Sequence, residues 1–291
     1  MNNTFIQLIY VPMIGVGLYN NFRDSKWLEY RIEIFKQYTF NSLLNQTNKK
    51  FILWLSFDPK WYGHTLIIDL EKYIQETGMA AFFTFEGLMY WDDKFNNNII
   101  SKGKNILRVV RHWIRTKGKI PLLSSIRETF YNKNKTLKER LSNPLHSILK
   151  NIPKVDWIYF TRIDSDDMFH KQAIEKIQNE IPFRGALIFK NGYIYNKETD
   201  KLAHWNPKTT PPFYTIMFPY DVFFDPKQYL DYYGKWKSHE DTTKVFSYEV
   251  LPDFFYCVLI HDTQSQISTI WNHPFRGLEI YSTRDEIKNF M

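Results

Sequence analysis

Trp157-Ile158-Tyr159-Phe160-Thr161-Arg162-Ile163-Asp164-Ser165-Asp166-Asp167 joins an apolar run to three carboxylates within four residues. The run from Trp157 to Phe160 has the aromatic and β-branched character of a buried strand, and the acidic cluster follows at its carboxyl end. Carboxylates crowded this closely repel one another and lose hydration, so the fold has to supply compensating charge. A divalent cation is the simplest source. Mg²⁺ and Mn²⁺ prefer oxygen ligands, and Asp164 and Asp166, two residues apart, can share one side of an extended turn. The same residues also suit a solvated loop or the N-cap of a following helix, so the flanking sequence has to distinguish the two.

Upstream of this stretch, strands alternate with helices. Phe5 to Val11 is a short apolar strand closed by Pro12 and followed by a Gly15/Gly17 loop. Asp24 or Ser25 offers an N-cap, and Leu28, Ile32, Phe35 and Tyr38 recur at helical spacing. Phe51 to Phe57 is a buried strand ended by Asp58-Pro59. Leu66, Leu70 and Ile74 mark a helix stopped by Gly78, and Ala80 to Phe85 is the next strand. This alternation predicts βαβ units and a mostly parallel sheet. Downstream, Ala173, Ile174 and Ile177 face inward from a helix within 170–180. Residues 187–195, centred on Asn191-Gly192, read as a β-hairpin with a type I′ turn. Phe213 to Phe218 and Phe254 to Ile260 are further strands, the second delivering His261 and Asp262. The expected fold is therefore α/β, with a mixed, mostly parallel central sheet flanked by helices, formed by 1–291 as a single domain.

Between Glu86 and Lys150 the alternation lapses, and 93–150 reads as a basic, mostly helical insertion. Residues 101–150 carry thirteen Lys/Arg against two Glu, or +11, which leaves −4 for the remainder of a chain whose net charge is +7. The basicity belongs to one segment. Such a segment is either a solvated face or a surface for anionic lipid head groups, a polyanionic glycan or nucleic acid. A single cysteine, Cys257, excludes an intrachain disulfide and a cysteine-based zinc site. No basic region precedes the first apolar stretch, and no apolar run approaches the length of about 18 residues that a membrane span needs. A soluble cytoplasmic protein is expected, with the basic insertion as a means of peripheral association at the inner face of an anionic membrane.

Ligands of an open α/β sheet gather beyond the carboxyl ends of its strands. Asp164, Asp166 and His261 all follow strands, and two carboxylates with one imidazole suit Mn²⁺ or Mg²⁺ with positions left open for a diphosphate. His239, Glu240 and Asp241 form a second dense polar cluster. It can supply a group that takes an acceptor's proton, or simply start a helix. The chain has no GxxxxGK[ST], HExxH or GxGxxG motif, which removes support for phosphate-loop hydrolysis, zinc proteolysis and ordinary dinucleotide binding.

Several blocks in the same order resemble the rhamnosyltransferase family of GT-A-type glycosyltransferases. They are Trp27-Leu28-xx-Arg31-xxx-Phe35, Asn41-Ser42-Leu43-xx-Gln46, Phe51-xx-Trp54 and Thr161-Arg162-Ile163-Asp164-Ser165-Asp166-Asp167. Gly192-Tyr193, Pro212-Phe213, His239 and His261 continue the series. Asn41 stands where that family usually has proline, and the basic insertion lies outside the resemblance. The resemblance implies a GT-A-like fold with a DxD motif, and transfer of a sugar, rhamnose in the family's name, from a nucleotide-sugar donor to a glycan or lipid-linked acceptor. It further implies Asp164 and Asp166 as metal residues with His261 as a third ligand, and Arg162, Asp164 or Asp167 against the donor. If transfer inverts the anomeric centre, Glu240 or Asp241, then His239, is the expected base; retaining transfer needs none.

Two other readings use the same residues. In a metal-dependent nuclease or phosphotransferase, Asp164, Asp166 and Asp167 would hold metal and the basic segment nucleic acid, a partner that the resemblance disfavours. In a non-catalytic glycan-binding protein, part of the aromatic complement would line a sugar groove.

Overall fold

The computed structural model describes residues 4–13, 24–85, 106, 107, 110, 114, 145, 146, 148, 150, 152–207, 210–225, 227, 228, 239–261, 280, 281 and 284–291. Among them are two sheets. The larger contains β1 (Phe5–Pro12), β2 (Ile52–Ser56), β3 (Ala81–Thr84), β4 (Trp157–Arg162), β6 (Gly185–Phe189), β9 (Tyr214–Pro219) and β10 (Ser247–Leu251), in the order β10-β6-β9-β4-β1-β2-β3. Only β9 runs against its neighbours, pairing antiparallel with β4 and β6, while the other four pairs are parallel. The mixed, mostly parallel sheet expected from the sequence is present, with helix α1 (Ser25–Ile34), helix α2 (Asn41–Leu44) and helix α3 (Thr65–Glu76) among its connections.

Alternation along the strands fills both faces of this sheet. Ile9 and Val11 of β1 join one apolar cluster, with Leu53, Leu55 and the inner faces of α1 and α3. Leu8 and Tyr10 join another on the opposite face, with Trp54, Phe160, Ile216 and Phe218. Gln7 interrupts the apolar run of β1 without being stranded. Its amide donates to Thr161 Oγ1 at 3.0 Å and accepts from Gln178 Nε2 at 2.8 Å, and Thr161 in turn contacts Thr215 Oγ1 at 2.7 Å. A fully satisfied polar chain of this kind removes most of the penalty for burying amides and hydroxyls.

The smaller sheet has the order β12-β8-β7-β11-β5, made of β12 (Ile280–Tyr281), β8 (Lys201–Trp205), β7 (Gly192–Asn196), β11 (Tyr256–Ile260) and β5 (Met168–Phe169). It corrects the expected hairpin. β6 and β7 lie in different sheets, and neither Asn191 nor Gly192 has positive φ, so no type I′ turn forms. A Cβ added at Gly192 would lie 2.5 Å from the Tyr256 ring, so the glycine lets β7 pass under that ring. The hairpin is instead β7 with β8, closed over Asn196↔Lys201 and turned through Asp200 at φ 53°.

The family-like Ser42 and Gln46 have a local explanation. Gln46 Nε2 donates to the carbonyls of Ser42 and His170, and its Oε1 accepts from Ile174 N at 3.1 Å. Gln46 thereby caps α4 (Ala173–Gln178), the short helix that follows the acidic turn. The basic insertion at 93–150 lies largely outside the described residues, as does the Gly15/Gly17 loop. Near the insertion's end, Leu145 and Ile148 are buried against the sheet. No described helix is long and apolar enough to cross a membrane.

Candidate functional site

The strand order β3-β2-β1-β4 means that the chain leaves β1 toward one side of the sheet and later returns to its other side as β4. That reversal is a topological switch point, where an α/β sheet opens a crevice at its carboxyl edge. Asp164 to Asp167 occupies it. Ile163 N donates to Tyr10 O at 3.1 Å, extending the β1–β4 ladder by one residue, and Asp167 N donates to Asp164 O at 3.2 Å to close the turn.

Each side chain of the turn meets a partner from elsewhere. Asp164 Oδ1 lies 2.5 Å from Arg162 Nη2, and Arg162 Nη1 donates to Pro212 O at 3.3 Å. Asp166 Oδ2 lies 2.5 Å from Arg31 Nη1 of α1 and 3.1 Å from His261 Nε2 at the end of β11. Burial works against ionising Asp166, but the Arg31 and His261 contacts win and hold its carboxyl well below the usual range. Asp167 goes the other way. It is buried, its Oδ1 accepts from Leu259 N at 3.0 Å, and burial with the neighbouring Asp166 and Asp164 charges pushes its carboxyl up. One acid stays charged and the next binds backbone.

Much of the compensation that the sequence leaves to a cation is therefore supplied by two guanidiniums. Arg31 belongs to one of the family-like blocks, yet nothing in its spacing connects it with Asp166. Tyr30 was not foreseen either. Its hydroxyl lies 3.2 Å from His261 Nδ1 and 3.1 Å from His261 O. Successive residues of one helix point about 100° apart, so α1 reaches the acidic turn with one side chain and the end of β11 with the other.

The residues fit a hard cation in part. Adjacent ligands of an octahedral ion with bonds of about 2.1 Å lie roughly 3 Å apart, and Asp166 Oδ2 and His261 Nε2 have that separation, 3.1 Å. Asp164 is turned to Arg162, and the described residues contain no group of three His, Cys, Asp or Glu poised as a complete cage. Two protein ligands suit Mg²⁺ or Mn²⁺, which take the rest of their shell from water and substrate oxygens.

The second cluster is joined to the first through one loop. His239–Asp241 is a 3₁₀ turn leading into helix α6 (Thr242–Val245), with α5 (Tyr220–Phe224) earlier in the chain. His239 Nδ1 lies 2.8 Å from Thr210 O, and Thr210 Oγ1 lies 3.0 Å from Thr243 Oγ1. Thr210 stands two residues before Pro212, whose carbonyl holds Arg162. Because a carbonyl only accepts, Nδ1 carries the proton and Nε2 is the basic atom of the neutral His239 ring. Asp241 caps no backbone group with its side chain; its Oδ1 pairs with Lys244 Nζ at 2.8 Å. Glu240 lies in the turn, but its side chain is outside the described residues, as is Asp262.

The sequence matches no protein-family model and no curated protein. Among solved structures the chain is distantly similar to S. aureus TarS 1–349, with TM-score 0.41 and 12% identity over 87% of this chain and 60% of that one. For the same TarS segment in complex with UDP the values are 0.40, 11%, 88% and 60%. The chain thus spans 60% of the length of the TarS structures it matches.

Proposed function

We propose that the chain is a GT-A-type glycosyltransferase, transferring a sugar from a nucleotide-sugar donor to a glycan or lipid-linked acceptor with Mn²⁺ or Mg²⁺. The observation that carries this reading is the delivery of Asp166 and His261, from strands of two different sheets, to within 3.1 Å of each other beside the switch-point crevice. A lone DxD in a solvated loop would have no reason to meet an imidazole 95 residues away.

In this reading Asp166 and His261 hold the ion, with Asp164 directly or through water. When bound, the ion neutralises the diphosphate as the sugar–phosphate bond breaks. Arg162, fixed between Asp164 and the Pro212 carbonyl, orients the anionic part of the donor. Asp167 acts from behind, tying the turn to β11. For inverting transfer, the acceptor hydroxyl gives its proton to Asp241 or Glu240, or to His239 Nε2. The basic insertion is assigned to anionic membrane, where lipid-linked acceptors reside, and nucleic acid is not assigned as a partner.

Incubation with a panel of nucleotide sugars, rhamnosyl donors first, in Mn²⁺ and in EDTA tests the proposal. Metal-dependent donor binding or hydrolysis is expected, and its absence from folded protein would sink the reading. Liposome co-sedimentation unchanged by neutralising Arg108, Arg111 and Arg115 would remove the membrane assignment.

A further inference from the structure

Tyr30 touches His261 twice, and the two contacts are not interchangeable. A carbonyl oxygen can only accept, so the 3.1 Å contact between Tyr30 Oη and His261 O is attractive only with the hydroxyl hydrogen in it. That hydrogen is then unavailable to the ring. The 3.2 Å contact with Nδ1 is attractive when Nδ1 carries its own hydrogen and donates it to Tyr30 Oη. Both contacts are satisfied when Nδ1 is protonated, which leaves Nε2 as the ring position that faces Asp166 Oδ2.

Without metal, a protonated ring donates from Nε2 to that oxygen at 3.1 Å; with metal, the Nε2 lone pair and the carboxylate can hold the ion between them. In both cases Nδ1–H stays with Tyr30, and Nε2 alone exchanges a proton for a cation. Metal-binding histidines commonly have the distal ring nitrogen fixed by an oxygen acceptor, which sets both tautomer and ring orientation.

We propose that Tyr30 is a positioning residue for the cation site: its hydroxyl, locked by the His261 carbonyl, holds the His261 ring in the Nδ1–H tautomer and aims Nε2 at the position shared with Asp166. The inference rests on the reading of Asp166 and His261 as metal ligands, but its statement about the ring stands without metal. Tyr30 reaches the ring from α1, whose neighbouring residue Arg31 steadies the other ligand, Asp166. One helix thus sets both halves of the pair. The aromatic ring of Tyr30 also packs on His261, with centroids 5.7 Å apart, so removing the hydroxyl alone leaves the packing in place.

Tyr30→Phe makes that change. In ¹⁵N-histidine-labelled protein, the ring nitrogen shifts of His261, assigned by their loss in His261→Gln, report which nitrogens carry hydrogen. The expected result is a protonated Nδ1 in the wild type and an unprotonated Nδ1 in Tyr30→Phe, where only Nε2–H remains, facing Asp166. Titration of apo-protein with Mn²⁺, followed by the electron paramagnetic resonance of the free ion, should show affinity about 10- to 100-fold weaker in Tyr30→Phe, with unfolding midpoints nearly equal. An unprotonated Nδ1 in the wild type, or the same tautomer in both proteins, overturns the proposal, as does Mn²⁺ affinity within twofold. Wild-type protein that takes up no Mn²⁺ overturns the metal reading, and the ring nitrogens then decide the role of Tyr30 by themselves.

Discussion

The turn at Asp164–Asp167 and the turn at His239–Asp241 look equally polar in the sequence, yet the chain treats them differently. In the first, partners come from remote elements: Arg31 from α1, Leu259 N and His261 from β11 and its end, and the Pro212 carbonyl through Arg162. In the second, Asp241 is paired with Lys244 three residues on, and His239 meets the Thr210 carbonyl. Charges fixed by remote partners hold one geometry before any substrate arrives. A locally paired carboxylate can swing, which suits a group that exchanges a proton with an incoming acceptor.

The largest effect expected from this contrast is at Asp166. Asp166→Asn keeps the shape but removes the charge, and should weaken metal-dependent nucleotide-diphosphate binding by at least about 100-fold; calorimetry with and without Mn²⁺ measures it. Wild-type binding in that variant would dissolve the distinction between the two turns. Next comes Arg31→Met, which leaves Asp166 without its guanidinium. The loss of one partner of a largely buried pair should lower unfolding free energy by about 3 kcal/mol, seen as an earlier denaturation midpoint with an unchanged slope.

Asp167 sharpens the comparison within the first turn. Asp167→Ala leaves the Leu259 amide without its acceptor and should cost about 2 kcal/mol. Asp167→Asn keeps that acceptor and should lie within about 1 kcal/mol of the wild type. If both substitutions cost the same, the carboxylate charge and not the backbone bond is what the site uses. The smallest effect is expected for Lys244→Ala, whose lysine is 69% exposed, at less than about 0.5 kcal/mol.

The strands and helices around the site were legible because their signals are local. Asp24 caps α1 as its side chain suggests, and the apolar runs at 52–56, 157–162 and 256–260 became strands. The convergence of Asp166 with His261 could be anticipated only as far as both follow strands. Arg31 and Tyr30 could not be placed, since a helix face that carries a functional side chain has no signature of its own. The Asn191-Gly192 pair misled for a related reason. A glycine required by a ring packed against it looks the same in sequence as a glycine required by a turn, and Tyr256, which decides between them, lies 64 residues away in the chain. Asp241 does stand at the N-cap of α6, but its side chain pairs with Lys244 and makes no capping bond to that helix's backbone.

The partners of Asp166 also differ in when the ribosome delivers them. Arg31 is made well before the acidic turn, whereas His261 follows Asp166 by 95 residues. Synthesis runs from the N-terminus, so the nascent acidic turn has its arginine already made, and the imidazole becomes available only after β11 has been added. Completion of the Asp166–His261 contact is thus among the late events of the chain's birth, and a truncated product lacking β11 would carry the acidic turn with its arginine but without its histidine.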